Sequence, residues 1–183
     1  MRGLIQALCA GLLLSASVTG ATAQQNGEAQ ARSYLEAGLP AHAGLGYRSD
    51  PATPDIAMPL RLDHPFLWSI YLTRGQTYRV YGACDDHCSD LDMEIYNADG
   101  ALADRDNATN DTPYVQITPS QSGRAYVRVW VYACSQEPCH AAMRLVAGGA
   151  AAPRAGASVA EGDLTHSQEQ SNQRAVIAQL DAS

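Results

Sequence analysis

The chain has 183 residues, a formal net charge of −7 and twelve cationic side chains, all of them arginine. Without lysine there is no GK[ST] phosphate loop, no Schiff-base amine and no Ser-Lys dyad. The acidic balance argues against nucleic acid or an anionic membrane surface as partner.

The first residues read as an export signal. Met1 and Arg2 form a short positive region, residues 3–14 are an apolar run, and Ala21-Thr22-Ala23 has the small-x-small form cleaved by signal peptidase. The apolar run is too short for a membrane span, which needs roughly 20 residues. Cys9 follows Leu8, where a lipid-attachment site would want a small residue, so it belongs to the discarded leader. The mature protein is expected to begin at Gln24 and to be periplasmic or secreted, with no membrane span.

Composition divides the rest into three parts. Residues 24–57 are polar, rich in Ala and Gly and interrupted by Pro40, Pro51 and Pro54. They read as an N-terminal linker with one short helix at 30–38, which Gly38-Leu39-Pro40 would end. Residues 148–183 open with an Ala/Gly/Pro run and close with a candidate amphipathic helix at 167–182, or a frayed tail in its place. Between them, residues 58–147 have strand periodicity throughout.

Strands are expected at 66–72 and 77–83, joined by a turn at 73–76, then at 90–96, followed by turn chemistry at 97–100. Further strands are expected at 101–104, 114–118, 125–133 and 141–146. Seven or eight short strands with regular turn signals indicate an all-β fold, an antiparallel β-sandwich of jelly-roll-like form with flexible N- and C-terminal extensions.

The run Gly75-Gln76-Thr77-Tyr78-Arg79-Val80-Tyr81-Gly82, then Cys84-Asp85-Asp86-His87-Cys88, Asp90-Leu91-Asp92-Met93, Asp99-Gly100, Pro113, Pro119 and Ser122-Gly123 together resemble the bacterial pre-peptidase C-terminal domain. That family is similar to the collagen-binding domain of clostridial collagenases. The resemblance covers the central ninety or so residues and implies a jelly-roll-like sandwich with a binding or secretion role, sometimes with bound calcium.

After the leader there are four cysteines, Cys84, Cys88, Cys134 and Cys139, an even number that suits disulfides in an oxidising compartment. Three connectivities are open. Chain entropy favours long bridges, about 4 kcal/mol against about 2 kcal/mol for a tight local loop. Against this, each close pair follows a strand directly, where a local staple would fix a loop that has no core of its own. Local pairing is therefore expected, with the long bridges as the alternative and a zinc site using His87 or His140 as a weaker rival.

Residues 85–111 carry nine acidic side chains against the single cation Arg105. Calcium takes six to eight oxygen ligands, and strand-connecting loops can gather them. Asp90 and Asp92 share one side of a strand, and Asp104, Asp106, Asn110 and Asp111 return across the next turn, so these six are the candidate calcium ligands. A solvated acidic surface is the alternative, and the EF-hand pattern is absent.

The strand at 125–133 sets Ala125, Val127, Val129 and Val131 on one face and Tyr126, Arg128, Trp130 and Tyr132 on the other. Small and branched residues suit an interior, so the aromatic set should face outward. Tyr81, near Arg79, should lie on the corresponding face of another strand, and aromatics with arginine are the types enriched at recognition sites. The competing expectation is that a terminal segment covers this stripe.

No G-x-S-x-G, no HExxH and no singled-out carboxylate pair occurs, so no catalytic residue is assigned. The expected function is a non-catalytic exported module that binds a protein or polysaccharide. A structural or secretion-assisting module and a small periplasmic hydrolase are the alternatives.

Overall fold

The structure, a computed structural model, describes residues 19–148 and their side chains from Asn26 onward. The expected leader up to residue 18 and the expected helix at 167–182 lie outside the described residues. In chain order the elements are α1 (Thr19–Gly44), β1 (Arg48–Ser49), β2 (Ile56–Leu60), β3 (Phe66–Leu72), β4 (Thr77–Cys84), β5 (Cys88–Tyr96), β6 (Leu102–Asp106), β7 (Tyr114–Ile117), β8 (Gly123–Cys134) and β9 (Cys139–Gly148).

The strands form two antiparallel sheets, as the alternation predicts. One has the order β1-β9-β4-β7, with β2 also paired to β9; the other has the order β3-β8-β5-β6. Period two drives the assembly, because each strand sends every second side chain into the space between the sheets. Ile70 and Leu72, Val80, Leu91, Met93 and Ile95, Val127 and Val129, and Met143 and Leu145 are all buried there.

The N-terminal part differs from the linker reading. Residues 24–57 contain most of α1, all of β1 and the start of β2, and α1 packs on the outer face of the first sheet. The helix runs through Gly38 and Pro40 instead of stopping there. It ends where Gly46, at φ 88°, lets the chain turn out of it, with the Leu45, Gly46 and Tyr47 N–H groups bonded to carbonyls of the last turn.

A proline inside a helix removes a backbone hydrogen bond and costs about 3 kcal/mol, so tertiary contacts must hold α1. Ala31 and Leu35 insert among Tyr47, Tyr81, Ala83, Ala142 and Val146. The Tyr81 hydroxyl donates to the Leu35 carbonyl at 3.2 Å, and His42 stacks on the Tyr81 ring at 3.9 Å. Gly38 permits this approach, since a Cβ there would lie 3.3 Å from the same ring.

Arg144 of β9 completes the attachment. Its guanidinium makes three hydrogen bonds to Asp55, two from Nε and one from Nη2, and one to Glu36 of α1 at 2.7 Å, and these partners hold it firmly protonated.

Candidate binding face

The outer face of the second sheet is built by β5 and β8. In β8, Ala125, Val127, Val129 and Val131 turn inward, while Tyr126, Arg128, Trp130 and Tyr132 turn outward, as the alternation predicts. In β5, Leu91, Met93 and Ile95 are core, so Asp90, Asp92, Glu94 and Tyr96 share the outer side. The register places Asp92 opposite Trp130, Glu94 opposite Arg128 and Tyr96 opposite Tyr126.

This places an unusual amount of charge under a thin layer of side chains. Glu94 is 2% exposed and accepts from Arg105, from Arg128 at 3.3 Å and from the Tyr96 hydroxyl at 2.6 Å. A buried carboxylate is tolerable only with such partners. Burial, with Glu94 beside it, pushes the Tyr96 hydroxyl up to about 12. Arg128 lies over the Trp130 ring, 4.4 Å from its centroid.

Among the described residues no arginine pairs with Asp92. Burial, reinforced by Asp90, Asp106 and Glu94, lifts its carboxyl to about 6, although the Trp130 indole donates to it and opposes the rise. Asp90 is also buried, and its Oδ1 has no partner.

The members of the expected binding set differ in exposure. Tyr132 is 71% exposed and Arg128 and Trp130 are half-buried, whereas Tyr126 is buried against Tyr96 and Leu67. Tyr81 does not belong to this face at all. It stands on the outer side of the other sheet, 3% exposed beneath α1, because the segment read as a linker folds over it.

The six expected calcium ligands are not gathered around one point. Asp104 and Asp106 stand opposite Ile95 and Met93, on the inward side of β6, and reach across to the neighbouring sheet. There Asp104 Oδ2 accepts the Gln116 N–H at 2.7 Å and Asp106 Oδ2 accepts the Tyr114 N–H at 3.0 Å. Their Oδ1 atoms accept the N–H groups of Arg105 and Ala108. Asn110 accepts the Thr112 N–H, and Asp111 is an exposed loop residue. Among the described residues no three His, Cys, Asp or Glu side chains form a group able to hold a metal ion.

The cysteines pair locally, Cys84 with Cys88 and Cys134 with Cys139, with Cα separations of 5.8 and 6.0 Å. All four are consumed, so no thiolate is left for zinc. Sequence reasoning missed the pair that ties the two disulfide loops together. Asp85, directly after Cys84, accepts from the main-chain N–H of His140, directly after Cys139, at 3.0 Å and contacts its Nδ1 at 2.9 Å. The parallel placement, each residue following a cysteine, was the available signal.

Acid–histidine pairing is also the geometry of a catalytic dyad. Here His140 Nε2 is buried without a partner, and Gly27 of α1 sits so close that a Cβ would collide with the imidazole. No substrate reaches that nitrogen, which makes the pair a fastening. At the other end of β8 an open pocket of ≈ 290 Å³ lies between the 97–99 and 119–125 loops. Its one carboxylate, Asp99, accepts the Ala101 N–H.

No helix among the described residues is long and apolar enough to cross a membrane. No family model matches the sequence, and no curated protein matches it. Among solved structures, the chain is similar to a component of the "Glycosylation Associate Protein (Gap123) complex from Streptococcus agalactiae", at 15% identity and a TM-score of 0.32. That match covers 56% of this chain and 39% of the other, and at this level it carries no argument about fold or function.

Proposed function

We propose that the chain is a non-catalytic, exported module that binds a protein or a polysaccharide on the open face of the β3-β8-β5-β6 sheet. The observation that carries this reading is the unequal treatment of the two sheets. The outer face of the first is covered by α1, whereas among the described residues no element packs over the second.

The open face offers Tyr71, Tyr132, Trp130, Arg128 and Arg105, the residue types favoured at recognition sites. It also keeps Asp92 buried at a cost in stability, a pattern found more often at functional sites than elsewhere. Two disulfides suit an oxidising compartment. The resemblance of residues 75–123 to pre-peptidase C-terminal domains supports a binding role as well.

The test is retention of the purified protein on cellulose, chitin, peptidoglycan and an immobilised fibrillar protein, with Tyr132→Ala as the variant. Retention on one of these that Tyr132→Ala loses, at an unchanged melting temperature, is the expected result. Retention on none would favour a structural or secretion-assisting module, and retention that ignores the substitution would move the site elsewhere.

A further inference from the structure

Arg79 of β4 lies at the C-terminal end of α1, on the sheet opposite the proposed binding face. Its guanidinium sits between two tyrosine rings, 4.5 Å from the Tyr47 centroid and 4.2 Å from the Tyr114 centroid. Nη2 donates to Gln116 Oε1 at 3.0 Å, an oxygen that also accepts the Tyr47 hydroxyl, and Nη1 meets His42 Nδ1 at 3.4 Å.

No carboxylate among the described residues forms an ion pair with Arg79. Its contacts among the described residues are two phenols, an amide and an imidazole. His42 is held below the usual histidine range by burial and by the Arg79 charge, so it offers a lone pair and no countercharge. The helix end does not supply the missing anion either, because Arg48 takes the Ala43 and Tyr47 carbonyls.

A guanidinium has five N–H donors. The Gln116 and His42 contacts use two, and Nε has no partner. Both rings pack against the guanidinium, and its planar fork of N–H groups is the donor set that recognises planar or tetrahedral oxyanions. Tyr47 is 8% exposed and Tyr114 is 46% exposed, and Arg79 itself is half-buried, so the cluster meets solvent beside Tyr114.

We propose that Arg79 anchors an oxyanion-binding site that takes a carboxylate or sulfate group, free or carried on an acidic ligand, through the Nη hydrogens that the protein leaves unused. Tyr47 and Tyr114 orient the guanidinium, and Gln116 and His42 fix its rotation. Against a net charge of −7, such binding depends on short-range contact and weakens with salt.

The experiment follows the Arg79 Nε–Hε and His42 ring resonances of the full-length protein during titration with sodium acetate and, separately, sodium sulfate. Sodium chloride at matched ionic strength is the reference. A saturable shift beyond the chloride response is expected, at least tenfold weaker in Arg79→Lys, absent in Arg79→Gln and unaltered in Arg48→Gln. Saturation by acetate alone assigns a carboxylate ligand, and saturation by sulfate assigns a tetrahedral one. Absence of saturation with both anions in the unmodified protein overturns the proposal, whatever the variants do. Binding that survives in a folded Arg79→Gln overturns it equally.

Discussion

Trp130 and Asp92 face each other across the β5–β8 ladder, and the indole N–H donates to a carboxyl that burial and its acidic neighbours hold near pH 6. The most recognition-prone ring of the open face thus rests on a group that titrates in a physiological window.

The sign of the pH effect follows from that shift. Below the ordinary value of 3.8 Asp92 is protonated folded or unfolded, and it imposes no penalty. Between there and about 6 the unfolded chain gives up the proton while the native state keeps it, so stability falls as pH rises, and above about 6 the loss is complete. Asp92→Asn should therefore stabilise the protein at pH 7.5 by on the order of 2 kcal/mol and have little effect at pH 4. Urea unfolding of both proteins at the two pH values checks this, and equal stability at pH 7.5 would count against it.

Asp104→Ala and Asp106→Ala each strip an acceptor from β7 and should each cost about 1 kcal/mol. The loss should be the same in calcium and in chelator, because their oxygens already serve N–H groups. A melting temperature that rises with millimolar calcium in the unmodified protein, and not in these variants, would return them to the role of ligands.

Gly27→Ala places a methyl group against His140 and Asp85. It should cost about 1 to 3 kcal/mol, as overpacking generally does. Proteolysis within residues 26–44 should accelerate, since the seat of α1 is what the methyl displaces. An unaltered digestion pattern would show that the helix does not rest on the pair.

Exported protein should begin at Gln24 and, with two disulfides, weigh four hydrogens less than its reduced form. Mass spectrometry with and without reductant decides both points. Thiol labelling of the native protein would contradict the pairing.

The sandwich was legible because alternation at Leu91, Met93 and Ile95 and at Ala125, Val127, Val129 and Val131 is a local property that the fold obeys. The outward set on β8 followed from the same period. α1 was not legible, because the contacts that hold it are tertiary: Gly38 and Pro40 oppose a helix in isolation, and contacts with distant residues such as Tyr81, Ala142 and Arg144 outweigh them. Tyr81 was misplaced for the same reason, since strand periodicity gives a side but not what lies over it. The placing of the carboxylates was not legible, because counting them cannot reveal that Asp104 and Asp106 face inward and are engaged by backbone from another sheet.

That engagement governs more than the stability of β7. A strand paired on one side only leaves a row of N–H groups that can template a second chain, which is how sheets polymerise. Among the described residues β7 pairs with β4 alone, and the carboxylates of Asp104 and Asp106 occupy its outward donors at alternate residues, Gln116 and Tyr114. A foreign strand arriving there would find no donor to take up and two negative charges in its way, so the acidic segment protects this border against self-assembly.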